Sequence, residues 1–410
     1  MTRSRTALVC ALALALTLCG DLAATDFIRG DANASGRVDI SDVIAALEFL
    51  FLGGAEPPCI DAADSDDSGV LDISDGVNIV SVLFLGTGGI PAPGPTACGP
   101  DPTDDPLDCA AFAPCPQGPP APRIEGFAFV GVNVEGYPEY RHVGTKQFVG
   151  TGMVFVLLEG DGPGGEMTFE MGSPDTECVR DTDEGPVHPV RLSPYLIAKH
   201  ECTQRVWEAV MGSNPSFFRV GGPGQSSLPP ELRENEAWLE LPVEQVSWLD
   251  IQLFEECTGL GLPSEAQWEH ACRGGTTTPF AFGETLDSVT QANYYGLFVS
   301  CGYQRGSQYL GHTTPVGSYA ANPFGLHDVH GNIWEWCEDE YDGGFYARAE
   351  AAGPDPVLSG APGAPRVIRG GVWSGIAQDC RAANRDWRGP SSRHSDDFGF
   401  RPARVLRGGN

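Results

Sequence analysis

Asp328-Val-His-Gly-Asn-Ile-Trp-Glu-Trp336 is the stretch on which the reading of this chain turns. Two carboxylates, Asp328 and Glu335, stand seven residues apart with Gly331 between them, a residue that permits a tight turn. Folded back in that way, their side chains and the intervening carbonyls offer a hard cation the oxygen ligands it prefers. Trp334 and Trp336 flank Glu335 and argue for burial over a solvated loop. His327 and His330 bracket Asp328 and read as packing or hydrogen-bonding groups. The run Glu338-Asp-Glu-Tyr-Asp342 that follows reads as a solvated acidic face.

Outward from this point, the chain has globular character from about residue 145 to residue 406. Short strands are predicted over residues 153–158, 167–171 and 190–192. Thr203 is placed to cap a helix that turns Val206, Trp207 and Val210 to one side. Ser264-Glu-Ala-Gln267 is a capping-box pattern opening a second helix, with Trp268 and Ala271 inward. Beyond Arg273 the periodicity fades, so dense aromatic packing, disulfides or ions must fix the core; five of the eight tryptophans lie past residue 260. Residues 373–387 are rich in Trp, Ser, Asp, Asn and Arg, side chains suited to ligand contact, with Trp373, Arg385 and Trp387 as the candidates alongside Trp334. An ordinary surface loop is the competing reading.

Near the N-terminus two segments repeat at an offset of 33 residues, Asp31-Ala-Asn-Ala-Ser-Gly-Arg-Val-Asp-Ile-Ser-Asp42 and Asp64-Ser-Asp-Asp-Ser-Gly-Val-Leu-Asp-Ile-Ser-Asp75. Oxygen-bearing side chains recur at loop positions 1, 3, 5, 9 and 12: Asp31, Asn33, Ser35, Asp39 and Asp42, then Asp64, Asp66, Ser68, Asp72 and Asp75. Gly36 and Gly69 occupy position 6, where a chain wrapped around calcium must turn sharply. Residues 43–52 and 77–85 are apolar enough for short helices. From residue 89 to 122 the composition shifts to Pro, Gly, Asp and Ala, the signature of a stiff acidic linker. Cys98, Cys109 and Cys115 are expected to form disulfides with one another or with Cys59. A zinc site is the rival, without the histidines it needs.

Acidic residues number 55 against 25 basic ones, a formal charge of −30 that repels phosphate backbones and anionic lipid. No nucleic-acid or membrane-surface partner is expected. Arg3 and Arg5, the apolar run of residues 7–18 and Leu22-Ala-Ala24 have the order of a secretory signal, too short to span a bilayer. A secreted or extracytoplasmic location follows, with a leader over residues 1–24, and the cysteines belong in an oxidising compartment.

The repeats resemble type I dockerin modules over residues 25–90, with Asp at position 12 where ordinary EF-hands carry Glu. That resemblance implies calcium, a small all-α module and a cohesin-like or other exported docking partner. Residues 91–144 would be the linker. The larger segment, 145–406, resembles the sulfatase-modifying-factor family, whose namesake is the formylglycine-generating enzyme. The resemblance rests on Phe169-Glu-Met-Gly-Ser-Pro174, Leu262-Pro-Ser-Glu-Ala-Gln-Trp-Glu269, Asn322-Pro-Phe-Gly-Leu326, Gly331-Asn-Ile-Trp-Glu-Trp336, Arg369-Gly-Gly371 and Gly399-Phe-Arg401. It implies an irregular α+β fold of C-type-lectin-like architecture. It also implies calcium held by the Asp328 and Glu335 side chains with the Gly331 and Ile333 carbonyls, and a second calcium involving Asn293, whose acidic partner falls near Ser307.

The family enzyme holds copper(I) between two cysteines shortly after the Gly-Gly turn and oxidises a substrate cysteine. Here the stretch reads Gly370-Gly-Val-Trp-Ser-Gly-Ile-Ala-Gln-Asp-Cys380. Counted from the glycines, Gly375 replaces the first cysteine and Cys380 coincides with the second; aligned on Arg381, Ala383 and Arg385, Cys380 leaves that position too. Val372 stands where the enzyme has a serine lining its oxygen site. Copper(I) favours few thiolate ligands, and one sulfur does not make the pair. Copper is therefore not expected, Cys380 is the one catalytic candidate the stretch retains, and a lectin-like scaffold for a polypeptide or glycan is the expectation. An active formylglycine-generating oxidase acting on an exported sulfatase or other polypeptide is the alternative. The three-histidine iron site of related sulfoxide synthases, with its His-x3-His spacing, has no counterpart.

Overall fold

The computed structural model describes residues 27–406, except 37, 86–88, 95–97, 100–106, 108, 110–111, 113–121, 145–151, 161–164, 287–289, 298–308 and 394–395. The proposed leader, Cys115, Cys301 and Ser307 lie outside the described residues. The chain divides into two units, Met1–Pro120 and Ala121–Asn410.

In the first unit the two acidic repeats adopt one conformation twice. Asp39 caps helix α1 (Ile40–Leu47) and Asp72 caps α3 (Ile73–Val80), each closing a capping box with the carboxylate three residues on, Asp42 or Asp75. Each helix loosens into a π-helical turn, Glu48–Leu52 and Ser81–Leu85. A one-turn helix, α2 (Ile60–Ala63), leads into the second loop. Phe27, Ile28, Cys59, Ala62, Cys109 and Phe112 form the core, cross-linked by a Cys59–Cys109 disulfide. Cys98 is also disulfide-bonded. The guanidinium of Arg29, fully buried, bonds Asp61 at 3.0 Å and Asp67 at 2.9 Å. Residues expected to be linker therefore belong to the module: Phe27 pairs with Gly99, and Cys109 and Phe112 are core.

The other end of that expected linker belongs to the second unit. Strands β1 (Phe127–Val132) and β2 (Pro138–His142) form a hairpin that adds to β3 (Val154–Leu158). The five-stranded sheet runs β1-β2-β3-β6-β11, with β6 at Tyr195–Ala198 and β11 at Ala403–Val405, so the C-terminal strand closes on the middle of the sequence. Strands β4 (Met167–Met171) and β5 (His188–Leu192) make a two-stranded ribbon. Helix α4 (Gln204–Met211) starts at Thr203, whose hydroxyl accepts from Val206 N–H, and it buries Val206 and Trp207. After the one-turn α5 (Pro230–Arg233) come α6 (Trp248–Thr258), capped by Ser247, and α7 (Glu265–Arg273), capped by Ser264. A second sheet, β10-β7-β8-β9, joins β7 (Trp334–Glu340), β8 (Arg366–Arg369), β9 (Asp386–Arg388) and β10 (Phe398–Gly399). Mostly antiparallel sheets, with β10 alone parallel to β7, and packed helices make the large unit α+β.

The acidic run after Trp336 is not a solvated face. Asp339 is buried and accepts from the Glu265 N–H at 2.7 Å and the Leu358 N–H at 2.8 Å; burial pushes its carboxyl up to about 7. Strand alternation carries it inward where a loop reading would leave it in water.

Candidate functional site

The quoted stretch makes a buried turn. Asp328, Gly331 and Asn332 all have positive φ, at 59°, 95° and 65°, and a Cβ on Gly331 would collide with the Asn293 carbonyl. Only glycine fits there. One Asp328 oxygen accepts from Gly317 N–H at 2.5 Å; the other, Oδ1, is buried with no hydrogen-bond partner. Glu335 accepts from Trp268 Nε1 at 2.7 Å and from Arg401 at 2.8 Å. A third carboxylate joins them. Glu201 is buried, and both its oxygens accept from Asn332 Nδ2, at 3.2 and 3.1 Å. Burial first, then the charges of Asp328 and Glu335, push its carboxyl well above the ordinary range; burial lifts Asp328 to about 6.

Three carboxylates face one guanidinium, so negative charge is left over in a buried place. The unpartnered Asp328 oxygen and this surplus suit a cation at Asp328. The oxygens of Asp328, Glu335 and Glu201 do not, however, gather within 4.8 Å of one another, and Glu335 is already engaged by Trp268 and Arg401. Glu201 is the acidic neighbour that sequence reading missed. Its sequence neighbourhood, His200-Glu-Cys-Thr203, carries no ligand spacing. Asn293 is the residue expected at a second calcium, whose acidic partner, near Ser307, lies outside the described residues. Its Nδ2 donates to His312 O and Asn332 Oδ1, and its carbonyl accepts from Asn332 N–H, so it braces the turn. His330 is spent on the backbone, with Nδ1 on Cys380 O at 2.8 Å and Nε2 accepting from Ala281 N–H at 2.9 Å.

Of the four predicted ligand residues, three line one polar cleft of 720 Å³: Trp334, Arg385 and Trp387. Its walls come from the Asp181–Asp183 loop, the turn at Tyr341 and strand β9. Trp387 is 47% exposed and stacks on Tyr341 at 5.9 Å. Arg385 is no free contact group: it is buried, holds Glu265 at 2.6 and 2.8 Å, and lies 4.2 Å over Tyr346. Trp373 lies outside the cleft lining. It is packed in the core, donating to Asp396 O and stacked against Tyr309 at 5.8 Å.

The acidic loops of the first unit close on their own carboxylates. Asp31 and Asp64 accept from the N–H of Ser35 and Gly36, and of Ser68 and Gly69. Asp42 and Asp75 accept from Asn33 and Asp39, and from Asp66 and Asp72. In the second loop, ligand oxygens of Asp64, Asp66 and Asp75 lie within 4.8 Å of one another. Buried oxygens of Asn33 and Asp66 find no hydrogen-bond partner, so a hard cation fits both loops. Ser35 and Ser68 hydroxyls reach the position-1 carboxylates at 3.4 and 3.5 Å. Asp39 and Asp72 differ from the expectation: each side chain caps its own helix.

A family model described as sulfatase-modifying factor enzyme 1-like domain matches residues 149–406. The chain belongs to the sulfatase-modifying-factor family. It is 29% identical over 299 residues to the formylglycine-generating enzyme of Thermomonospora curvata, covering 63% of this chain and 95% of that one. With the Streptomyces coelicolor enzyme it shares 30% over 281 residues, 59% of this chain and 87% of the other. It is also 32% identical over 253 residues to the serine/threonine-protein kinase pkn1 of Chlamydia caviae, of which the match covers 38%. Among solved structures, PvdO from Pseudomonas aeruginosa is 29% identical with a TM-score of 0.47, covering 62% of this chain and 94% of that one.

Within this sulfatase-modifying-factor domain the cysteine pair is not assembled among the described residues. Gly375 stands in the loop after Gly371, and the Cys380 side chain is fully buried among Phe280, Leu286, Ala292, Tyr294 and Ala377. Burial pushes that thiol well above its ordinary range, away from the thiolate that copper needs. Of the other described cysteines, Cys337 is buried in a separate core cluster on β7, and Cys272, whose charge reaches Cys380, is itself buried with its thiol pushed well up. These residues do not fit a copper(I) site.

Proposed function

We propose that this is an exported, calcium-binding member of the sulfatase-modifying-factor family whose large domain is a binding scaffold without copper-dependent cysteine oxidation. One observation carries the reading. The loop that would present two thiolates carries glycine at 375, and its one cysteine is sealed in an apolar cluster. What remains is the polar cleft beside Trp334 and Trp387, fit for a polypeptide or glycan ligand. Calcium at Asp328 and Glu335, when bound, would supply the charge that this buried acidic turn lacks. Calcium in the two N-terminal loops would hold α1 and α3 side by side.

The first unit serves as a tether in this reading. Its helices leave Ile44, Phe51, Val77 and Phe84 exposed at matching positions of the two repeats, which supports docking to a cohesin-like or other exported partner. No described helix is long and apolar enough to cross a membrane.

The test uses the reduced full chain, titrated with copper(I) against a chromogenic chelator and then incubated under oxygen with a Cys-x-Pro-x-Arg peptide. The expected result is no stoichiometric copper and no mass loss from the peptide. Stoichiometric copper with mass loss would overturn the scaffold and establish the alternative, a formylglycine-generating oxidase acting on an exported sulfatase or other polypeptide. The names borne by the relatives at 29–30% identity keep that alternative worth the experiment.

A further inference from the structure

We propose that the cleft at β9 takes a neutral saccharide, laid with one ring face on Trp387 and its hydroxyls on the charged wall beneath. The inference rests on the scaffold reading and narrows its ligand.

The lining decides between ligand classes. A cleft whose surface is mostly polar has little to offer an apolar ligand, whereas a ligand with many hydroxyls can both donate and accept. The wall carries both signs. Asp386 holds Arg388 at 2.8 Å, and Asp183 accepts from Tyr341 OH at 2.8 Å. Asp379 accepts from Ile376 N–H at 3.0 Å. Each of these groups is therefore oriented before any ligand arrives, and each carboxylate keeps lone pairs for a hydroxyl donor. Such preorganisation lowers the ordering cost of binding.

The same contacts disfavour a charged ligand. An anion meets Asp181, Asp183, Asp379 and Asp386. An incoming guanidinium or ammonium finds the cation position already filled, since Arg385 lies over Tyr341 at 5.2 Å and Trp387 is stacked on the same ring. What the cleft leaves open is the outward side of Trp387, a flat apolar surface in the middle of the edge strand β9. A pyranose ring presents a face of C–H groups to such a surface and hydroxyls around its rim. The aromatic plane and the ring of fixed donors and acceptors match those two demands together.

The test presents the calcium-loaded full chain to an array of neutral and uronate-bearing oligosaccharides, followed by calorimetric titration of the best-retained neutral glycan. The expected result is retention of neutral glycans over acidic ones. Trp387→Ala should weaken binding about tenfold, as for loss of an aromatic face, while Trp387→Phe stays within about threefold. Retention of no neutral glycan overturns the assignment, and so does a glycan that binds Trp387→Ala as tightly as wild type. A Cys-x-Pro-x-Arg peptide run in parallel separates the two levels. Its binding without turnover, with no glycan retained, removes the saccharide and leaves the scaffold; copper-dependent mass loss removes the scaffold itself.

Discussion

Calcium removal should melt the first unit well before the second. In the second acidic loop the ligand oxygens of Asp64, Asp66 and Asp75 lie within 4.8 Å of one another. At an effective dielectric of ~20, two unit charges at that separation repel by about 3.5 kcal/mol. A small unit whose buried clusters hold few large side chains has little reserve to hold such charges together, even with Cys59, Cys98 and Cys109 in disulfides. Free calcium at about 100 times its dissociation constant adds about 2.7 kcal/mol per site by mass action. For a unit of this size that corresponds to a melting shift of roughly 10–20 °C for each occupied loop. Differential scanning calorimetry of the full chain, with calcium and with EGTA, should show two transitions, of which chelation lowers the one from the first unit by at least that amount. Asp75→Asn should reproduce part of the shift in the presence of calcium. A first-unit transition that EGTA leaves in place would refute the argument, because the clustered carboxylates would then be stable without a cation.

Three further outcomes follow from the second unit. Arg381 is buried with Glu184 and Glu177, at 2.5 and 2.6 Å, so Arg381→Met strands two buried carboxylates and should cost about 3–5 kcal/mol in urea unfolding. In the native unreduced protein, iodoacetamide should alkylate the exposed Cys257 and spare Cys380; mass spectrometry of the digest reads both. Burial lowers His142, His270 and His330 to about 4 and His200 to about 3, all from 6.5. These rings stay neutral in the fold while the unfolded chain takes up protons, so stability present above pH 6.5 falls as the pH drops toward 4. Melting curves at pH 7, 5.5 and 4.5 check the sign.

Local chemistry was legible and long-range pairing was not. Thr203 and Ser264 announce their helices because a cap is written within four residues, and both caps form as read. The duplicated turns and their helix caps were equally legible, since the glycine, the capping aspartate and the helix sit in one segment. The second sheet was hidden for a physical reason. Strands β7 and β8 are buried on both faces and carry charges among their buried positions, so neither reads as a half-buried strand with one polar face. Their charges are tolerated because Arg369 pairs with Glu269 and Glu265 on α7, about 100 residues away in sequence. Composition therefore read Asp339 and Arg385 as surface groups when both are interior. Glu201 was missed likewise: its partner Asn332 is 131 residues distant.

Under the scaffold reading, the same arginines explain how the fold holds without a thiol at residue 375. From the end of β8 onward the chain is pinned at Arg369, Arg381, Arg385 and Arg401, each buried against a carboxylate from another element. None of those anchors involves residue 375, so a thiol could leave that position without cost to the fold. Putting it back should not restore copper. A Cβ at Gly375 would meet Asp379 Oδ2 at 2.8 Å and Val372 Cγ1 at 3.1 Å, which the carboxylate can yield to. Cys380 cannot yield in the same way. A Cβ on Gly371 would already stand 2.7 Å from its sulfur, a measure of how closely the turn packs over it, and turning it outward would empty a space in the Phe280–Tyr294 cluster. Gly375→Cys should thus fold, react with iodoacetamide at residue 375, and bind copper(I) no more tightly than the parent in chelator competition. Tight one-to-one copper binding by Gly375→Cys would mean that Cys380 reaches the loop surface, and that the chain stands a single substitution from the enzyme.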